Sequence, residues 1–459
     1  MELHPKKYQS LSYRKHQEMI FGTSRYPVKC GFDVSIGSGA VLPEVNYTLP
    51  PMEVTPAHLD KILIEYETII NSILSRMVTL AAPGVVLEFE HTPQMTEHVE
   101  IGARITQLTK TVMKDYFDRH QLKSAMRVTI CDIREQQRPP KIRSDNAKDL
   151  VLEAFNTNAD AGADMLSIES IRGKEVNDPA MMEGDTAGIL FALGVLAPRD
   201  MHFLWKNIVQ IAEKNQVVPA GDTACGFANT AMVLADKKYI PDVLAAVIRA
   251  MSAVRSLIAF ERGAIGPSKD CAYEGPVIKA ITGYPISMEG KSAACAHFSH
   301  VGNIAAAVCD LWSNESVQNV KLLSGYAPEV FAEILAYDCR LMNQSLALQS
   351  EKQFLQMLVS SDEFKSVHAL IISPQSSFRI AEAIVAAKTD FDRTRNAGIT
   401  ACQIIREAVT NGDLKLPQRE LNWLGVIEEQ LSLYDQENKV IEYGVRSFAD
   451  KFLIEEYGL

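Results

Sequence analysis

Residues 162–170, GADMLSIES, run from a glycine through the apolar pair Met165 and Leu166 to an acidic end at Glu169. A short apolar run with a glycine before it and a charged residue at its tip reads as a buried parallel strand that carries a functional side chain at its C-terminal end. Two later stretches repeat the form: residues 216–226, QVVPAGDTACG, lead to Cys225, and residues 256–274, SLIAFERGAIGPSKDCAYE, contain Cys271. The separations, 56 and 46 residues, suit one strand, a helix and a loop each. As neighbouring staves of one barrel, these runs would bring a carboxylate and two thiols to one rim. Three protein ligands there can hold a catalytic zinc and leave one position open.

Working outward, strand-like runs of similar spacing occur at VVLEFE (85–90), MRVTIC (126–131) and PISMEG (285–290), with SLIAFERG (256–263) as the fifth in chain order. A seventh is placed at VKLLSG (320–325), and the eighth is left open. Alternation of these runs with helix-like segments predicts an α/β fold, a (β/α)8 TIM-type barrel. A doubly wound open sheet alternates in the same way, but no GxGxxG follows a first strand and no GxxxxGK[ST] loop occurs. Residues 20–50 are rich in Gly, Pro and β-formers and read as a wrap over the barrel. The expected organisation is an N-terminal extension over 1–55, a catalytic barrel over 56–345 and a helical C-terminal region over 346–459. In the last, Phe378, Ala381, Ile384 and Val385, then Leu421, Leu424, Ile427 and Leu431, recur at helical spacing and are expected to pack on the barrel.

Composition narrows the function. The chain has 459 residues, 47% hydrophobic and 22% charged, which is ordinary for a globular protein. A net charge of −11 without a long basic stretch argues against nucleic acid as a partner. The longest apolar run, Gly188 to Pro198, is too short to cross ~30 Å of hydrocarbon and reads as core helix, so no membrane partner is expected. The polar start, MELHPKKYQSLSYRKHQEM, has no secretory signal pattern, which points to the cytoplasm. Eight dispersed cysteines without a CxxC pair are then expected to be thiols, and zinc fingers, thioredoxin-like chemistry and local iron–sulfur motifs drop out.

Cys131, Cys295, Cys309, Cys339 and Cys402 read as small buried hydrophobes. Cys225 and Cys271 differ because each lies in a polar, glycine-containing turn, GDTACG or GPSKDC. A competing reading makes Cys225 or Cys295 a nucleophile activated by His297 in CAHFSH. Asp222, Glu261, Asp270, Glu274 and Glu289 gather near strand ends, where one or two can manage protons. His91 and His297 are candidates for orienting substrate, against the commoner role of a structural histidine.

The strings FGTSRYPVKCGFDVSIGSG (21–39), PEVNY (43–47), GADMLSIES, AGDTACGFANTAM (220–232), GAIGPSKDCAYE (263–274), KAITGYPISMEGKSAACAH (279–297) and LWSNESV (311–317) resemble the methanol:corrinoid methyltransferase subunit family. The resemblance runs from about residue 20 to 345 and more weakly beyond. It implies a barrel-fold zinc enzyme with one Glu and two Cys as ligands, at positions that match Glu169, Cys225 and Cys271. It also implies a separate corrinoid-binding partner protein and a homodimeric core within a hetero-oligomer.

Hydroxide is a poor leaving group, so methanol needs activation, which a zinc Lewis acid supplies. Two thiolates and one carboxylate leave an excess negative charge on the divalent ion, which weakens that activation. A nearby acid, Asp222 or Glu289, is therefore expected to protonate the departing oxygen while Co(I) attacks the methyl carbon. No DxHxxG-like corrinoid-holding segment occurs, so the cofactor is expected to arrive on the partner, at the C-terminal rim. The rival functions are a sister corrinoid methyltransferase for another methoxylated or methylated small molecule, and a non-catalytic docking subunit. A set of three ligands argues against the latter, because structural zinc normally has four.

Overall fold

The computed structural model describes residues 6–459 except 136, 270, 272, 292–299, 318, 319 and 324. Nine strands lie among them: β1 Thr23–Cys30, β2 Val34–Ser38, β3 Leu42–Thr48, β4 Val85–Glu90, β5 Ser124–Ile130, β6 Met165–Ile168, β7 Val218–Asp222, β8 Ser287–Glu289 and β9 Leu311–Val317. β1 and β2 form an antiparallel hairpin. The other seven make one curled parallel sheet in the order β7-β6-β5-β4-β3-β9-β8.

Closure comes from residues 264–268. On the β7 side, Ile265 N–H donates to the Pro219 carbonyl and Gly266 N–H to that of Ala220, both at 2.9 Å. On the β8 side, Ser268 pairs in parallel with Ile286. This segment stands where an eighth stave belongs, and Pro267, with no N–H to donate, interrupts a regular ladder. The (β/α)8 barrel is thus present, with helices between successive staves.

Three strand expectations need correction. Residues 256–262 are the end of the helix Asp242–Arg262, and Gly263 caps it, so this run is not a strand. That helix is buried along nearly its whole length, so it has no solvent-facing stripe, and its polar residues pair inside the protein, which removes the periodic signature of a surface helix. The described residues of 320–325 do not form the seventh strand either: Leu323 is exposed, and the stave is β9, LWSNESV. The first stave is β3, which falls within the stretch read as a wrap. β3 and β9 escape the apolar-run criterion because the barrel interior is partly polar.

Period-two alternation explains that interior. Leu42, Val86, Ala125 and Met165 form a bottom apolar layer with Ala220 and Leu311, and Val34 and Ile36 of the hairpin plug it from below. Two residues further along the same strands come Glu44, Glu88, Arg127 and Ser167, all buried. Arg127 Nε donates to Glu44 at 2.7 Å, and its Nη1 donates to Ser167 Oγ at 2.8 Å and the Pro267 carbonyl at 3.1 Å. Ser287 donates to the other Glu44 oxygen. A buried ion pair spans the barrel with its hydrogen bonds largely met by neighbouring staves.

Outside the barrel, the helix Ala327–Ala347 packs on β3 and β9. The helices after it include Asp390–Asn411, which covers Asp242–Arg262, and Pro374–Ala386, which packs on Gly275–Thr282. The C-terminal helical stripes therefore face the barrel's helices as expected. Thr186–Asn215 and Asp242–Arg262 are long and apolar enough to cross a membrane, but 83% and 100% of their apolar windows are buried inside the protein.

Candidate metal centre

Alternation along β6 that places Met165 and Ser167 inside the barrel puts Glu169, one residue past the strand, at the inner rim. Cys225 opens the helix Cys225–Asp236 after β7, where the helix N-terminus favours a thiolate. Cys271 follows the closing stave. Their ligand atoms all lie within 4.8 Å of one another. Three donors each 2.0–2.3 Å from a tetrahedral ion would be roughly 3.3–3.8 Å apart, so only a small contraction is needed. Cys271 Sγ already lies 3.2 Å from Glu169 Oε1. Cys271 is buried, whereas the Glu169 side chain is 28% exposed, so the cluster communicates with solvent on the Glu169 side.

Glu289, at the end of β8, places Oε1 3.1 Å from Cys271 Sγ. Lys269, fully buried, sits 2.9 Å from Glu88, 3.5 Å from Glu169 and 3.9 Å from Cys271 Sγ. Its ammonium offsets part of the negative charge of the cluster. A hydrogen bond with Cys271 acts to lower the Cys225 pKa, but burial and the Glu169 and Glu289 carboxylates prevail and push the thiol up to about 11. Two thiols facing two carboxylates in a buried rim ionise readily only with a further cation among them, and this donor set suits a soft divalent ion.

Asp222 takes a different place from Glu289. Its carboxylate accepts from Ser170 N–H (3.1 Å) and Oγ (2.7 Å), Trp205 Nε1 (2.8 Å) and Thr223 N–H (2.8 Å), and lies 3.7 Å from Arg255. Burial raises its pKa against the opposing pull of Arg255 and these hydrogen bonds. Arg255 in turn donates to the carbonyls of Thr223 and Ser170, both at 2.7 Å. The pair clasps the turns that carry Cys225 and Glu169. Glu274 holds the first turn from the other side, accepting from Ala224 N–H at 2.7 Å and Ser256 Oγ at 2.8 Å.

The remaining sequence candidates lie apart from the cluster or outside the described residues. Glu261 pairs with Arg393 at 2.6 Å and anchors the C-terminal region. His91 is buried against Phe89 and Thr96, and burial lowers its pKa to about 4, so it is a neutral packing residue. Burial raises the Cys131 and Cys402 thiols to about 12; Cys402 is a core residue as expected, whereas Cys131 is only partly buried against the core. Asp270, Cys295 and His297 are outside the described residues.

Sequence reasoning did not single out Lys269, Glu88, Asn229, Arg249 or Arg255. Lys269 had a signal, a cation two residues before a proposed ligand, and Glu88 had another, a carboxylate at an inward position of an apolar strand. Arg249, Asn229 and Arg255 carry no local mark.

Fold and site together define a (β/α)8-barrel protein with a thiol-rich candidate metal centre built on consecutive stave ends. Within that class the chain belongs to the methanol-cobalamin methyltransferase B subunit family, whose profile matches residues 5–458. It is 39% identical over 461 residues to a methanol–corrinoid protein co-methyltransferase of Methanosarcina barkeri (strain Fusaro / DSM 804), covering 99% of each chain. The crystal structure of the methanol:cobalamin methyltransferase complex MtaBC from Methanosarcina barkeri superposes with a TM-score of 0.95 at 39% identity, over 99% of this chain and 100% of that one.

Proposed function

We propose that the chain is a methyltransferase that takes the methyl group of methanol and delivers it to the Co(I) corrinoid of a separate protein. The observation that carries this reading is the convergence of Glu169, Cys225 and Cys271 at the barrel rim, in a chain of this family. Those three residues would hold Zn2+, which two thiolates favour over Mg2+ or Ca2+. When bound, zinc supplies Lewis-acid polarisation of the alcohol C–O bond.

The chain's own residues do the rest. Lys269 offsets negative charge beside Glu169 and Cys271. Glu289, beside Cys271 Sγ, is the proposed donor of the proton that lets the hydroxyl oxygen depart as water. Asp222, whose oxygens are engaged by Ser170, Trp205 and Thr223, is assigned the holding of the ligand turns instead. The corrinoid partner is placed over the C-terminal rim, on the side where Glu169 meets solvent, because the cobalt must approach the methyl carbon there. A homodimeric core and a cytoplasmic location complete the reading; burial of both long apolar helices accords with the latter.

The test is methanol-dependent conversion of Co(I) corrinoid to methyl-Co(III), followed by absorbance with a corrinoid protein and zinc supplied. Wild type is expected to convert, and Cys271→Ser to lose both metal and conversion. Glu289→Gln is expected to keep its zinc and slow at least about 100-fold, the scale of general-acid assistance. An unchanged Glu289→Gln rate removes the assigned proton donor. A wild type inert with methanol but active with another methyl donor transfers the reading to a sister enzyme.

A further inference from the structure

Cys225 Sγ receives a hydrogen bond from Asn229 Nδ2 at 3.4 Å, one helical turn along Cys225–Asp236. The far side of that amide faces Arg249, on the helix Asp242–Arg262, whose Nη2 donates to Asn229 Oδ1 at 3.1 Å. Arg249 is 2% exposed, and its guanidinium lies 4.9 Å from the centroid of the Tyr273 ring. A guanidinium only donates, so it accepts no other orientation of the amide. Turned over, Asn229 would set its NH2 against Arg249 and its carbonyl oxygen against the sulfur, two repulsive contacts at once.

We infer that Arg249 and Asn229 act as a positioning pair that fixes an N–H···S hydrogen bond on Cys225 and so restrains the electron donation of this thiolate to the metal. The inference rests on the metal reading of Glu169, Cys225 and Cys271 given above. Its physical basis is that a hydrogen bond to a thiolate draws charge from the sulfur lone pairs, and a buried cation behind the donor strengthens the bond in low dielectric. With two thiolates and a carboxylate around one divalent ion, sulfur donation is the main factor opposing Lewis acidity. Lys269 supplies a comparable correction beside Cys271, so each sulfur has its own cation-backed partner.

The experiment loads purified wild type, Arg249→Met and Asn229→Ala with Co2+ and records the thiolate-to-cobalt charge-transfer absorption, together with Co2+ affinity by chelator competition. Both variants are expected to shift the band to lower energy, because the sulfur gives up its electrons more easily, and to lower the methyl-transfer rate about 10-fold or more. Loss of packing alone would lower affinity without moving the band of the protein that remains loaded. Asn229→Ala removes no buried charge, so it tests the inference even where Arg249→Met fails to fold. A band unmoved in loaded Asn229→Ala overturns the positioning role while leaving the metal site standing. A wild type with no charge-transfer band overturns the metal reading itself, and this inference with it.

Discussion

At Asp222 two oxygens meet Ser170, Trp205 and Thr223, while Arg255 holds the carbonyls of the same two turns. Proximity to a proposed ligand in sequence marked this residue, but its direction came from Trp205 and Arg255, on helices that the sequence does not place beside it. Asp222→Ala leaves the Arg255 guanidinium buried without its counter-charge, a loss of about 3–5 kcal/mol for a buried pair. We expect a lower urea midpoint and reduced bound zinc together, where Glu289→Gln changes neither. Full metal content and wild-type stability in Asp222→Ala would remove its positioning role. Glu169, Cys225 and Cys271 were legible because each is a reactive side chain in a turn-like or strand-end segment. Arg249 and Asn229 were not, because the orientation of one amide depends on a helix that follows it in the chain.

Among the elements, the β1–β2 hairpin does more than wrap the barrel. Val34 and Ile36 fill its lower mouth against Leu42, Val86, Ala125, Met165, Ala220 and Leu311. Ile36→Ala opens a cavity in that layer and is expected to cost about 2–4 kcal/mol. Urea unfolding should show the loss while zinc content stays at the wild-type level, since the proposed metal centre lies at the opposite rim. A coupled loss of metal would mean that the plug sets the register of the staves. The staves β4 to β8 were legible from apolar runs, whereas β3 and β9 were hidden by Glu44, Asn46, Ser313 and Asn314, which are buried here. Polar residues that are buried in or against a barrel, as Glu44, Asn46 and Ser313 are on its inner face and Asn314 on its outer face, look along the chain like surface residues.

Across the whole molecule, the first described residues and the C-terminal region are tied to each other and to the barrel's helices. Lys7 pairs with Asp390 at 2.7 Å, and Arg393 reaches Glu261 and the Tyr8 carbonyl, both at 2.6 Å. The helix Asp390–Asn411 lies over Asp242–Arg262, which leads directly into the closing stave and Cys271. We therefore propose that the regions 1–55, 56–345 and 346–459 fold as one cooperative unit. A chain ended after Ala347 would expose the buried helix Asp242–Arg262 and is expected to aggregate and to lose Co2+ binding, read by gel filtration and absorbance. A soluble, monomeric, metal-binding fragment would instead make the C-terminal region an independent addition.

The sequence by itself determined the class of fold and marked out Glu169, Cys225 and Cys271, which the structure brings within 4.8 Å of one another. Strand length, loop spacing and side-chain chemistry at strand ends are local properties, so most staves could be read along the chain, although residues 256–262 went into a helix. The tertiary structure decided how the barrel closes, through residues 264–268 between β7 and β8. It also decided that Glu289 approaches a sulfur while Asp222 clasps two turns, and that Lys269 and Arg249 stand behind separate thiols. These outcomes depend on which distant elements lie side by side, and on a buried charge taking the orientation that satisfies every neighbour at once.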